Sequence, residues 1–208
     1  MSIQWSDMSP LVVGLITFVL MWSDWLLTVL QERERSRHYA AHYQGYPVNT
    51  IEGNPMLQAA VKQARVVHMR HIGIALLLGG VVAYFTSFIG EVFRPMFLGY
   101  VWGLFLIVGS THLGNLLGYR ASRRGVHGKL YLHQRTGLLI QMGRYAALSV
   151  LLLVLAVCSA SLFMVGVFIA GVTSTLRQLI WLRKVPAISA DDSHPQAGFM
   201  KKNSGVST

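Results

Sequence analysis

One apolar run, residues 10–30 (PLVVGLITFVLMWSDWLLTVL), limits more than any other feature what this chain can become. It is of membrane-spanning length, since about 20 helical residues at roughly 1.5 Å each cross a hydrocarbon layer of about 30 Å. Well inside it lies a single acidic residue, Asp24. A carboxylate within a span is costly in isolation and calls for a partner. Four later apolar segments are therefore expected to fold around this first helix and to bring polar groups to the depth of Asp24.

The rest of the chain agrees with lipid as the solvent. It is 53% hydrophobic and 12% charged, with a mean hydropathy of +0.47, which excludes an ordinary water-soluble domain. Residues 1–9 carry no basic segment and the first run exceeds the apolar core of a signal peptide, so the run is expected to stay as an anchor. Cys158 is the only cysteine, which excludes an internal disulfide, a CxxC pair and any multi-cysteine metal site. The net charge of +10 sits in short segments flanking apolar runs, without a nucleic-acid-binding motif. Anionic lipid headgroups, rather than nucleic acid, are the expected partners of these segments.

Residues 31–44 continue in good helix formers and read as an extension of the first helix, ended by Gly45 and Pro47. Asn54-Pro55 starts the next helix, with Asn as N-cap and Pro at the first helical position. That helix reads as amphipathic over residues 55–70 and passes directly into a second span at 71–89. A tight hairpin leads to a third span, 96–119, followed by Arg120, Arg123, Arg124 and Lys129. Residues 137–182 would measure about 69 Å as one helix, over twice the bilayer core, so they are expected to form two spans. The weakest helix-forming point, residues 158–161, divides them into 138–157 and 162–182. Residues 185–208 lack an apolar period and read as a disordered tail.

The expected fold class is therefore all-α, an integral membrane bundle of five transmembrane helices. Lys and Arg cluster after spans one, three and five, while Arg94 alone lies on the other side. The bias predicts an outside N-terminus, a cytoplasmic C-terminus and a place in the cell (cytoplasmic) membrane. Small residues recur every fourth position in span two (Ala75, Gly79, Ala83, Ser87), span three (Ser110, Gly114, Gly118) and span five (Gly166, Ala170, Ser174). Such ridges allow close helix packing inside the bundle, and equally a homo-oligomer or a membrane partner.

Depth sorts the polar residues. Asp24 precedes Glu32, and His112 precedes Arg120, by the same eight residues, which places both about 12 Å below the cytoplasmic end. Asp24 and Thr28 share a helix face, as do His112 and Asn115. Arg144, Thr173 and Ser174 enter at similar depth, with His68 and His71 at the mouth of span two. One reading is a cytoplasm-facing cavity in which Asp24, with His112 or Arg144, handles a proton or binds a polar headgroup. The other is a structural pair that fixes helix register, with Arg144 snorkelling to the interface.

Glu34, His38 and His42 follow at four-residue steps and offer metal ligands from one face, or else an exposed polar ladder. His71 and His112 offer axial ligands for a b-type haem, or else ordinary bundle hydrogen bonds. No other cofactor is indicated. Trp22, Trp25, Tyr119 and Trp181 read as interface-belt aromatics. No phosphate-cradling loop, nucleophile elbow or HExxH is present.

Asp24-x-x-x-Thr28, followed by Glu52-x-Asn54-Pro55 at the start of the next helix, resembles the D-x-x-x-T and E-x-N-P pattern of a family of small, functionally uncharacterised prokaryotic multi-pass membrane proteins. The resemblance covers the first third of the chain. It implies that Asp24, Glu52 and Asn54 face one another at the cytoplasmic mouth, and it implies no activity. Ranked on the sequence, a non-enzymatic membrane subunit or assembly factor comes first, and binding or modification of a lipid or amphiphile at the polar layer second. A proton-coupled carrier or haem electron carrier comes third, with no inverted repeat to support it. Whether the chain is an enzyme is left open.

Overall fold

A computed structural model describes residues 8–45, 51–52, 54–125, 128 and 130–185. The tail expected at 185–208 lies, beyond Val185, outside the described residues, as does Pro47. Helix α1, Pro10–Glu34, starts where the Ser9 hydroxyl accepts the Val12 N–H and Pro10 fills the first helical position. The helix continues into a π-helical turn, Arg35–Tyr39, a short α2, Ala40–His42, and an extended segment β1, Tyr43–Gly45. The helical extension expected to residue 44 is thus cut short. Its last backbone groups pair instead with β2, Leu130–Leu132, in a parallel ladder that sets Tyr43 opposite Leu130 and Gly45 opposite Leu132.

The helix expected to run unbroken from residue 55 into the second span is also broken, and the reason is physical. Helix α3, Pro55–Lys62, buries Leu57, Ala60 and Val61 against Trp25 and Val29 of α1. It closes with Ala64 N–H donating to Val61 and Arg65 N–H donating to Ala60, the paired bonds of a Schellman motif. Ala64 occupies its left-handed position at φ 51°. The Trp25 indole then donates to the Val66 carbonyl at 2.9 Å and pins the connection to α1. Only after this turn does α4, Met69–Thr86, begin.

Helices α5, Arg94–Gly125, α6, Gln134–Ser159, and α7, Leu162–Lys184, complete the chain. The break between α6 and α7 falls at Ala160, at φ 48°, inside the weak stretch at 158–161. Together with α1 and α4 these are five helices, among the described residues, long and apolar enough to cross a membrane. They form an all-α bundle with Leu11, Leu77, Phe88, Val150 and Val157 turned outward. Acyl chains accept such surface, whereas water would not.

Closest neighbours follow the order α4, α1, α5, α7, α6, so α5 rather than α1 is the middle helix. Glycines set its contact with α7: a Cβ at Gly99 would strike the Phe163 carbonyl, and one at Gly166 the Met96 carbonyl. Gly79 likewise lies against Gly14, where a Cβ would stand 2.8 Å from the Gly14 oxygen. The expected ridge on span three does not pack inside. Gly114 and Gly118 are exposed, and a Cβ on either would meet nothing within 4 Å.

Three outcomes follow for thermal melts of the purified protein. Gly99→Ala should destabilise by roughly 1–3 kcal/mol through overpacking, while Gly114→Ala should stay within about 0.5 kcal/mol of the parent. Ala64→Gly, at a left-handed position, should raise stability by about 0.5–1 kcal/mol.

Candidate functional site

A polar strip runs down one side of α1. Asp24, Thr28, Gln31 and Arg35 recur at steps of four, three and four residues, the seam of a helix facing a neighbour. His112 of α5 meets this strip. Its Nδ1 lies 2.6 Å from Gln31 Oε1, and its Nε2 lies 3.3 Å from Thr28 Oγ1 and 3.6 Å from Asp24 Oδ1. The Thr28 hydroxyl donates to the Asp24 carbonyl at 2.9 Å. With that proton committed, Nε2 faces the Thr28 hydroxyl oxygen and the Asp24 carboxylate, while Nδ1 faces the Gln31 amide oxygen. Asp24 and His112 are therefore level, as the spacing to Glu32 and Arg120 predicts.

Their absolute depth is shallower than that spacing predicts. Helix α4 has 18 residues, or about 27 Å, close to the hydrocarbon thickness, so its first turn marks the boundary. In that turn His71 Nε2 donates to the Met21 carbonyl at 3.3 Å and its ring stacks on Trp25 at 4.6 Å. Residues 21–25 of α1 thus stand at the boundary, and Asp24 at headgroup level. Glu32 misleads as a marker because α1 rises beyond the bilayer with Glu32 itself buried in protein beside Arg35.

Glu32 and Arg35 form the support above the site. The carboxylate accepts Arg35 Nη2 at 2.7 Å and Nε at 3.0 Å, with both side chains under 10% exposed. Its Oε2 also accepts the Ile51 N–H at 3.1 Å, tethering the segment before α3. Within that segment Glu52 Oε1 accepts the Asn54 N–H at 2.7 Å, and Asn54 Oδ1 caps α3 by accepting the Met56 N–H. Gln58 Nε2 donates to the Glu52 carbonyl. Burial pushes the Glu52 carboxyl above the usual glutamate range, opposed by the Asn54 N–H and by Arg177.

This tethered segment roofs a cavity of about 620 Å³ at the basic end of the bundle. Asp24 and Thr28 of α1, Val108 and His112 of α5, and Glu52 and Asn54 of the roof line one side. Gln134, Leu138 and Gln141 of α6, with Arg177, Gln178 and Lys184 of α7, line the other. At the opposite end of the bundle the same walls close, where Phe163 packs against Val13, Leu98 and Trp102 and the Trp102 indole donates to Thr17 Oγ1 at 2.9 Å.

Comparison of the chain with protein-family models, with curated proteins and with solved structures returns no match.

The residues singled out from sequence divide. Asp24, Thr28, Glu52, Asn54 and His112 come together around the cavity. Asn115 and Arg144 do not. They bond to each other at 3.4 Å beside a separate groove of about 440 Å³ along Tyr39, Gly114 and Gly118, because residue 115 lies three positions from 112 and turns off the α1-facing side. Ser174 and Thr173 spend their hydroxyls on carbonyls of their own helix, Ala170 and Ile169.

The Glu34–His38–His42 ladder is dispersed by the π-helical turn, which shifts the four-residue register. Glu34 pairs with Arg123, His42 Nδ1 donates to the Gly128 carbonyl, and His38 is exposed. Among the described residues no group of three such side chains is placed to hold a metal ion. Of the two proposed haem ligands only His112 lines the cavity, and His71 is held by Met21 and Trp25. Trp25, read as a belt residue, is buried at 2% exposure in the contact with α3.

Sequence reasoning missed Gln31, Arg177, Gln178, Lys184 and the Glu32–Arg35 pair. A polar residue within an apolar span was the signal available for Gln178. For Arg177 the signal was Trp181, one turn on, whose ring centroid lies 4.6 Å beneath the guanidinium.

Glu32→Ala should leave Arg35 buried without its carboxylate and cost on the order of 3 kcal/mol in thermal stability. It should also speed hydrogen exchange at the Ile51 amide. An unchanged exchange rate there would show that the roof is held by other contacts.

Proposed function

We propose that this chain is a multi-pass protein of the cytoplasmic membrane that binds the polar headgroup of an amphiphile at the cavity beneath residues 51–54. One observation carries the reading: Asp24, Glu52 and His112, from three separate segments, face one cavity of about 620 Å³ at headgroup depth. Ionisable groups gathered in an intramembrane cavity mark ligand or ion sites more often than scaffolding. The Lys and Arg bias supports a cytoplasmic position for this end and an outside N-terminus. The resemblance to small uncharacterised prokaryotic multi-pass proteins fits the same grouping of Asp24, Glu52 and Asn54.

A second reading, a subunit that docks a partner helix, draws support from the outward ridge of Gly114 and Gly118 on α5, open to a neighbour. The two readings separate in one experiment. Native mass spectrometry of the purified protein should detect a retained lipid, and added lipid should raise the melting temperature. Asp24→Asn should abolish both effects while leaving the lipid-free melt close to the parent, and His112→Ala, which also strips Gln31 of its partner, should abolish both with a lowered lipid-free melt. Retention of the lipid by both variants would remove the cavity as the site.

A further inference from the structure

Charge and hydrogen-bond inventory narrow the class of headgroup, on the reading that the cavity binds one. Two acceptors of lining residues are short of donors: Gln178 Oε1 is a buried atom without a hydrogen-bond partner, and Asp24 Oδ1, buried likewise, has only His112 Nε2 at 3.6 Å. Gln178 is only 4% exposed. A buried acceptor left unsatisfied costs free energy that a ligand donor recovers. Glu52 adds a second carboxylate on the same lining. The cavity lining therefore offers negative charge and acceptors to something rich in N–H.

The same lining carries positive charge on α7. Arg177 is held over the Trp181 ring and Lys184 lies seven residues on, which returns it to the same helix face about 10 Å nearer the helix end. A purely anionic headgroup would meet Asp24 and Glu52, and a purely cationic one would meet Arg177 and Lys184. A zwitterion satisfies both sets.

We infer that the cavity recognises a phosphate ester bearing a primary ammonium, the phosphoethanolamine headgroup, with the ammonium on Asp24 and Gln178 and the phosphate toward Arg177 and Lys184. A primary ammonium brings three N–H donors to acceptors short of them, whereas a quaternary trimethylammonium brings the charge but no donor. Guanidinium and ammonium groups both suit phosphate oxygens.

The test uses the full chain in nanodiscs and in detergent, with phosphatidylethanolamine, phosphatidylcholine, phosphatidylglycerol and soluble phosphoethanolamine as probes. Phosphatidylethanolamine should be retained in native mass spectra and should bind at least tenfold more tightly than phosphatidylcholine or phosphatidylglycerol. Gln178→Leu should erase that preference and Gln178→Glu, which keeps an acceptor, should restore it. Arg177→Glu should weaken phosphatidylethanolamine without favouring phosphatidylcholine. Soluble phosphoethanolamine binding as tightly as the lipid would keep the headgroup chemistry and assign it to a soluble source. Equal binding of all three lipids, each lost in Asp24→Asn, would overturn this inference and leave the amphiphile site standing. No binding of any probe to the parent protein would overturn both.

Discussion

The polar strip on α1 is the feature to which the surrounding elements answer. Asp24 stands at the edge of the hydrocarbon, and Thr28, Gln31 and Glu32 rise beyond it buried among the helices, so protein groups rather than water must meet them. Helix α5 answers with the His112 imidazole, the 51–54 segment with the Ile51 amide, and the π-helical turn with Arg35. Toward the other end of the same seam Thr17 receives the Trp102 indole. Apolar contacts and glycine notches bring the helices close, but these directional bonds select the rotation of α1 about its axis.

That division of labour explains how the bundle can be tight at one end and open at the other. Where α5 and α7 meet, Gly99, Gly103 and Gly166 admit the opposing backbone directly, and the Val13–Val82–Leu98–Trp102 cluster seals the neighbouring volume. Toward the basic end the facing residues are Gln, Arg, Lys and the acids, which hold walls apart rather than interdigitate. The Glu32–Arg35 pair, although buried, contributes chiefly by fixing position, since a buried ion pair gains little net stability over an apolar pair.

Span number and helix existence were legible because they depend on length and apolar content, which lipid reads almost without context. The Asp24–His112 pairing was legible for a similar reason, since two polar residues at one depth have few alternatives. The α3–α4 break was not legible. Its left-handed turn is made by Ala64, where a glycine would have announced it, and what compels the turn is a distant surface, Trp25 and Val29. The glycines of α5 were misread for a related reason: Gly114 and Gly118 carry the same four-residue spacing as Gly99 and Gly103, yet only the latter pair meets the neighbouring backbone. Arg144 and Asn115 matched the cavity in depth and missed it in azimuth, a coordinate that spacing on a single helix does not supply.

The neighbour order α4, α1, α5, α7, α6 has a consequence for biogenesis. As the chain leaves the ribosome, α1 and α4 can associate early through Gly14 and Gly79, but the Asp24 carboxylate then faces the membrane without its imidazole. That debt is cleared only when the third span enters. An insertion intermediate with two spans therefore carries an acid without its imidazole at the membrane boundary, the kind of mark by which membrane quality control distinguishes an unfinished chain from a finished one.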